Sequence, residues 1–224
     1  MLARLNMSKV QPKSATQIPE PPIAKFIFAD TRVAWVWLIV RVYVGWQWLV
    51  AGIEKMTGHN IDLGHWGDKP SAAWIFTNNT GAAIKGFAQG ALAGASGAHP
   101  SVQGWYADFL KSFVIPNPGF WSYLITFGEV AVGLGLIVGA LTGVAAFFGV
   151  VMNFNYLLAG TVSINPILGF LGILLILAWR VAGYYGIDRY LLPVLGTPWT
   201  GSLTTDAKPE TPTTSNRPLT PAMS

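Results

Sequence analysis

The sequence predicts an all-α membrane protein: a four-transmembrane-helix bundle with an amphipathic helix in a long outer loop between helices 1 and 2. Hydrophobic residues make up 52% of the chain and charged residues 11%, which makes it far more apolar than an average soluble domain. Four windows approach the roughly 20 apolar residues that cross a bilayer as a helix. The charged residues inside these windows are few and isolated. The lipid bilayer is therefore the first predicted partner.

The four predicted spans differ in how they are separated. A long loop, residues 53–118, follows the first span, whereas the second and third are joined by a minimal hinge at Thr142-Gly143. The first 25 residues contain no apolar stretch followed by a cleavage site, so the first span is expected to act as the insertion signal itself. The predicted spans cover about residues 33–52, 119–140, 144–160 and 166–185.

Basic residues near the spans predict the orientation. Positive charges cluster before the first span and after the fourth, which places both termini in the cytoplasm and the protein in the cytoplasmic membrane. Residues 1–25 and 200–224 lack apolar periodicity, and the second is rich in Pro, Thr and Ser, so both are predicted to be disordered. Residues 26–199 form the membrane domain. The basic residues are Lys13, Lys25, Arg32, Arg180 and Arg189.

The outer loop contains its own helical pattern. In "SVQGWYADFLKSFVI", residues 101–115, apolar side chains recur at helical spacing and the pattern ends at Pro116 and Pro118. This predicts an amphipathic helix over 101–114 that rests on the membrane interface or caps the bundle. A weaker pattern at 82–95 is rich in glycine, which disfavours a regular helix. The apolar positions are Val102, Trp105, Tyr106, Phe109, Leu110, Phe113 and Val114.

Polar residues within the spans are the main functional signal. Arg41, Glu129 and Asn153 each lie about 8 to 10 residues into a predicted span, which places all three near the bilayer midplane at about 1.5 Å per residue. A charge at this depth is costly and normally faces a partner inside the protein. We therefore predict an Arg41–Glu129 ion pair with Asn153 nearby. Such a pair is either purely structural or part of a ligand or proton pathway.

Aromatic residues share the face that carries Arg41. Steps of three and four from Arg41 reach Gly45, Trp48, Gly52 and Lys55, which lie on one helical stripe. Most Trp and Tyr side chains in a membrane protein form interfacial belts. Trp37 and Trp48 differ because they lie on the Arg41 side.

Several classes of site are excluded or disfavoured. The chain has no cysteine, which excludes disulfides, thiolate metal sites and iron–sulfur clusters with cysteine ligands. His59, His65 and His99 all fall in the outer loop, so a haem between the spans is not supported. No metal site or flavin fingerprint is predicted. The sequence has no stripe of basic residues interleaved with aromatic residues, so nucleic-acid binding is not predicted.

Four segments resemble the DoxX/DoxD family of small membrane proteins. They are "RVYVGWQWLVAGIEK" (41–55), "GEVAVGLGLIVG" (128–139), "NFNYLLAGTVSINP" (153–166) and "LAWRVAGYYGIDRYLLPVLGTPW" (177–199), and the resemblance extends over about residues 30–199. It implies four membrane helices. The matching positions are Arg41, Gly45, Gly52, Lys55, Gly128, Glu129, Gly133, Gly139, Asn153 and Asn155.

The resemblance favours two hypotheses about function. The family takes its name from the large subunit of a thiosulfate:quinone oxidoreductase, which implies a quinone-reactive subunit with quinone as cofactor, working with another protein subunit. Alternatively, the chain is a non-catalytic accessory or assembly subunit of a respiratory or photosynthetic complex. A transporter is less favoured because no internal repeat is present.

The first hypothesis assigns roles to particular residues. Glu129 and Arg41 are the predicted catalytic residues, because a carboxyl group can exchange the proton that accompanies quinone reduction. Lysines on the outer face are expected to steer an anion such as thiosulfate, with the 101–114 helix as a lid. The predicted quinone-binding residues are Trp37, Trp48, Asn153 and Tyr156, and the steering residues are Lys55, Lys85 and Lys111.

Overall fold

The computed structural model describes residues 20–68 and 71–195, and within these ranges the chain is helical without strands. The all-α prediction is confirmed. The tails predicted to be disordered fall largely on residues 1–19 and 196–224, which lie outside the described residues. The helices are α1 (Pro22–Ala29), α2 (Ala34–Thr57), α3 (Ala82–Ala93), α4 (Gly104–Phe109), α5 (Pro118–Val138), α6 (Thr142–Leu158), α7 (Asn165–Leu177), α8 (Trp179–Ala182) and α9 (Asp188–Val194).

Two helices are long and apolar enough to cross a bilayer. One is α2 with the 3₁₀ turn before it, a 27-residue helix of mean hydropathy 1.5, and the other is α5, with 21 residues and mean hydropathy 1.6. The helices α6 and α7 are also apolar, but they contain 17 and 13 residues. The first helix among the described residues, α1, begins at Pro22, within the segment that we predicted to be disordered.

Glycines allow α2 and α5 to pack closely in antiparallel directions. A β-carbon on Gly133 would lie 2.6 Å from the Leu49 nitrogen, and one on Gly52 would lie 2.7 Å from Val130. Gly45 faces Leu136 in the same way. Small residues at such contacts let membrane helices approach each other. Later residues of α2 meet earlier residues of α5, so the two helices are antiparallel. These glycine contacts also set their register.

The turn between α5 and α6 lies slightly before the predicted hinge. α5 ends at Gly139, whose φ is +69°, and Leu141 also has a positive φ of +48°. The backbone N–H groups of Leu141 and Thr142 donate to the two carboxylate oxygens of Asp188, at 2.5 and 2.8 Å. Asp188 therefore caps the start of α6, as carboxylates commonly do at a helix N-terminus.

The predicted fourth span, about residues 166–185, is not one uninterrupted helix in the structure. α7 ends at Leu177, and the short helix α8 follows. Glycine at position 183 leaves space for Asp188, because a β-carbon there would overlap its carboxylate. The chain turns early so that Asp188 can reach the start of α6. Hydropathy could not reveal this break, since the residues on both sides of it are apolar.

Helices α3 and α4 cover one end of the bundle. The segment at 82–95 forms a regular helix, α3, against the expectation from its glycines. The predicted helix over 101–114 is α4 followed by a π-helical turn, Leu110–Val114. Its apolar stripe is only partly buried, because Trp105 and Phe113 are exposed. The buried side chains of this cap are Ile84, Ala88, Ala91, Val102, Tyr106, Ala107, Leu110, Val114 and Ala159.

Candidate functional site

A buried carboxylate lies where α2, α5 and α6 meet. Glu129 is 1% exposed, and Lys55 Nζ lies 3.0 Å from its Oε1 and 2.8 Å from its Oε2. The Tyr156 hydroxyl donates a hydrogen bond of 2.5 Å to Oε1. Each residue comes from a different helix. We call these three residues the Glu129 cluster.

Local structure holds Lys55 against this carboxylate. Lys55 lies in the last turn of α2, and its carbonyl accepts a hydrogen bond of 2.6 Å from the Trp74 backbone. Its ammonium nitrogen lies 5.1 Å from the Trp74 ring centroid and 6.0 Å from that of Tyr156. Aromatic faces attract cations at such distances. The side chain is 17% exposed, so the cation is neutralised at the edge of the bundle.

The predicted Arg41–Glu129 ion pair is wrong. Arg41 is fully buried, and its Nη2 donates to the Tyr185 carbonyl at 3.2 Å. Its guanidinium packs against Gly139 and interacts electrostatically with Asp188. From Gly139 to Glu129 is about ten residues of α5, or about 15 Å. The two charges therefore lie at different levels of the bundle.

The error came from the assumed ends of the first span. Placing its end at residue 52 gave Arg41 and Glu129 the same depth, whereas α2 continues to Thr57. The antiparallel register then brings the final turn of α2 beside Glu129. Lys55, which we expected to steer anions, is therefore the partner of the carboxylate.

The other predicted ligand-binding residues are divided among three places. Trp48 is buried, and its ring stacks on Tyr156 with centroids 6.4 Å apart. Asn153 faces α7, where its amide donates to Asn165 at 3.3 Å. Trp37 donates to the Ile27 carbonyl at 2.8 Å and so fastens α1 to α2. Trp48 and Tyr156 therefore share a site that excludes Trp37.

The remaining polar candidates lie on the surface. Lys85 is exposed, and Lys111 lies 3.8 Å from Asp108. His59 Nδ1 is 2.9 Å from the Gly67 carbonyl, and His65 is exposed. Within residues 20–68 and 71–195, no group of three or more His, Asp or Glu side chains could hold a metal ion.

An apolar cleft of about 670 Å³ adjoins the Glu129 cluster. It lies between α5 and α6 under α3, α4 and the π-helical turn, and we call it the lateral cleft. Leu124, Val144 and Phe148 line it and are also about half exposed on the sides of the helices, so the cleft opens sideways. Tyr156 forms part of its wall. The other lining residues include Phe87, Tyr106, Ile125, Gly128, Met152 and Asn155.

A hydrogen bond holds α4 over the lateral cleft. The buried Tyr106 hydroxyl donates to the Asn155 carbonyl at 3.0 Å and to its Oδ1 at 3.2 Å. Burial raises the pKa of Tyr106 to about 12, because an apolar environment disfavours the charged phenolate. Tyr106 therefore stays neutral and remains a donor at physiological pH.

Comparison with known proteins identifies the family. The sequence model of the DoxX family matches residues 36–161, which is more than half of the 224-residue chain. The chain belongs to the DoxX family. No curated protein and no solved structure gives a significant match. The matched DoxX region runs from α2 to just beyond α6 and includes the whole Glu129 cluster. As a DoxX membrane protein, the chain contacts lipid through its apolar helices.

Sequence reasoning missed the roles of three residues: Trp74 and Tyr106 at this DoxX site, and Asp188 beside Arg41. Trp74 and Tyr106 lie in the segment between α2 and α5, where no periodicity links them to the spans. Asp188 follows the last apolar helix and was not considered. One signal in the sequence could have revealed that Lys55 pairs with Glu129. The glycines of α2 and α5 mark where the two helices pack, and so indicate their antiparallel register.

Proposed function

We propose that this DoxX protein is a quinone-reactive membrane subunit whose lateral cleft accepts a quinone from the lipid. One observation carries the proposal: an apolar cleft open to the side of the bundle reaches Tyr156, whose hydroxyl is bonded to a buried carboxylate. A lipid-soluble ligand needs such a sideways entrance, since its tail stays in hydrocarbon. The head group would lie near the Glu129 cluster.

The residues of the cleft fit this ligand. Pockets for small organic ligands have volumes of roughly 300–1,000 Å³, with mostly apolar walls and a few polar groups. The lateral cleft, at about 670 Å³, is within this range. Phe87 and Met152 provide apolar contacts for a ring or an isoprenoid tail, while Tyr106, Asn155 and Tyr156 provide polar groups.

The membrane arrangement that we propose has four spans: α2, α5, α6 and α7. Gly160, just after α6, lies against Ser101, and Gly143, at the start of α6, lies against Trp179. α6 and α7 therefore run between the same two ends of the bundle as α2 and α5. Their outward aromatics, such as Phe147 and Phe170, are more than half exposed, which suits contact with lipid.

Charge supports the proposed orientation. The end of the bundle beside α1 and α8 carries exposed or partly exposed basic residues, which favour the cytoplasmic side. Both termini would then be cytoplasmic, in the cytoplasmic membrane. The basic residues at this end are Lys25, Arg32, Arg180 and Arg189.

The Glu129 cluster would handle protons. A bound quinone would supply a reversible acceptor for two electrons and two protons. Tyr156 Oη lies between the cleft and Glu129 Oε1, so it can hold a proton and pass it in either direction. Lys55 balances the charge when Glu129 is ionised. Trp48 and Phe87, packed on the Tyr156 ring, orient the hydroxyl and exclude water.

A donor of electrons completes the proposal. A sulfur compound such as thiosulfate, or a partner subunit that oxidises it, would supply the electrons. Lys85 and Lys111 remain available to steer an anion towards the capped end, because neither is buried. The Arg41 role that we expected in catalysis is not retained, since Arg41 lies about 15 Å from the Glu129 cluster along α5.

Co-purification tests the proposal. The full-length protein would be purified in mild detergent and its extracted lipids analysed for quinone. We expect bound quinone, and a loss of about tenfold, equivalent to ~1.4 kcal/mol, in Gly128→Leu, because the new side chain fills the cleft next to Met152. Gly86→Leu is the matched control, since that helical glycine faces open space.

Two results would contradict the proposal. One is quinone content that Gly128→Leu does not lower. The other is a stable complex with other subunits that contains no quinone, which would favour the accessory role instead. Thiosulfate is then added to the complete complex to test whether it is the electron donor. The measured quantity is the reduction of a soluble quinone.

A further inference from the structure

A second polar feature reaches Glu129 along another face of α5. Ser122, Thr126 and Glu129 are spaced at i, i+4 and i+7, so they lie on one face of the helix. Their relative exposures are 0%, 0% and 1%. This is the face that packs against α2, whereas Ile125 and Gly128 line the lateral cleft. The stripe is thus separate from the proposed quinone site.

The two hydroxyl groups of this stripe lack hydrogen-bond partners within the described residues. Ser122 Oγ, Thr126 Oγ1 and Glu129 Oε2 have none in the part of the chain that the structure describes, apart from the Lys55 ammonium beside Oε2. A buried hydroxyl without a partner costs about 1–3 kcal/mol. Two such hydroxyls, followed by Glu129 Oε2, occur over a length of about 10 Å along α5. Buried polar groups of this kind are commonly satisfied by ordered water.

We propose that Ser122 and Thr126 hold a short file of water molecules that carries protons between Glu129 and the capped end of the bundle. Ser122 lies in the first turns of α5, beside the point where Gly81 packs against Pro118 and Gly119. One proton enters from solvent at this end, each water accepts a proton and gives one to the next, and Glu129 Oε2 gains one proton while every water ends neutral. No electron moves in this step.

The proton route extends the proposed function and rests on it, because the quinone reaction is what requires the protons. Quinone reactions need protons as well as electrons, and the lateral cleft is apolar. A polar path on another face of α5 lets Glu129 exchange protons while lipid or ligand fills the cleft. Glu129 then passes protons to Tyr156 through Oε1 and receives them through Oε2.

The charged and titratable groups that face Glu129 affect how readily it gains or loses a proton. Lys55 and Glu54 act on it from α2, and Tyr156 from α6, with Tyr106 acting on Tyr156. Glu54 Oε1 accepts a hydrogen bond of 3.3 Å from Ser71. Any test must therefore leave all four residues unchanged.

Infrared spectroscopy after an acid jump tests the route. The full-length protein in nanodiscs would be acidified rapidly, and the carboxyl band that Glu129→Gln removes would be followed over time. We expect Thr126→Val and Ser122→Ala to slow its protonation by about tenfold, the factor that corresponds to losing one hydrogen bond. Thr126→Ser, which keeps the hydroxyl, should retain the wild-type rate.

Thr142→Val provides the matched control. Thr142 Oγ1 is also buried without a partner, but it lies at the other end of the bundle, so its loss should not change the rate. Equal rates in Thr126→Val and wild type would overturn the route, as would a Glu129 band that does not respond to pH while the protein is folded. Quinone content measures the proposed function separately, because Ser122, Thr126 and Thr142 do not line the cleft.

Discussion

Glu129 depends on Lys55 because a carboxylate inside an apolar bundle is costly without a counter-ion. Removing one member of a buried ion pair costs more than removing both, since the remaining charge stays buried and unpaired. Lys55 is partly exposed, which reduces the effect. The pair therefore stabilises the fold in addition to its proposed role in proton transfer.

Substitution of Lys55 tests this dependence. We expect Lys55→Met to lower the free energy of unfolding by about 2–3 kcal/mol. The double variant Lys55→Met/Glu129→Gln should recover most of this loss, because both charges are then absent. Denaturant unfolding in detergent measures both values. A double variant as unstable as the single one would show that Lys55 stabilises the fold through packing alone.

One hydroxyl group holds helix α4 in its position against α6. Tyr106 joins α4 to α6 through Asn155 and closes one end of the lateral cleft. The pKa of Tyr106 is about 12 in the folded protein against roughly 10 for an unperturbed tyrosine. Its contribution to stability is therefore complete below about pH 10 and is lost as the pH rises towards 12.

Removing this hydroxyl should loosen α4 without unfolding the bundle. In Tyr106→Phe we expect amide hydrogen exchange over residues 104–114 to accelerate about fivefold, as for a loss of about 1 kcal/mol in local opening. Tyr123→Phe is the matched control, because the Tyr123 hydroxyl makes no hydrogen bond within residues 20–68 and 71–195. Equal exchange in the two variants would contradict a role for Tyr106 in holding α4.

The whole molecule can be oriented by chemical labelling, because the chain contains no cysteine. We expect a membrane-impermeant maleimide to label Ser96→Cys and Ser163→Cys on intact cells, and Thr31→Cys only after permeabilisation. All three positions are exposed. Labelling of Thr31→Cys on intact cells would invert the proposed orientation. Opposite labelling of Ser96→Cys and Ser163→Cys would contradict α6 as a span.

Several features of the fold could be predicted from residues alone. The helical class follows from apolar windows of membrane-spanning length, and the buried state of Arg41, Glu129 and Asn153 follows from polar residues within such windows. The pairing of Arg41 with Glu129 was wrong because helix ends set the relative depth of two charges. Hydropathy locates those ends only to within a few residues.

The sequence by itself determined the DoxX-like apolar bundle, its family and the set of buried polar residues, because these depend on local composition and spacing. Tertiary structure decided that Lys55 rather than Arg41 neutralises Glu129, that Tyr156 faces the cleft and that Asp188 caps α6. These contacts join residues 27 to 74 positions apart. Only the packing register of the helices specifies which distant side chains meet, and that register depends on glycine contacts and helix ends together.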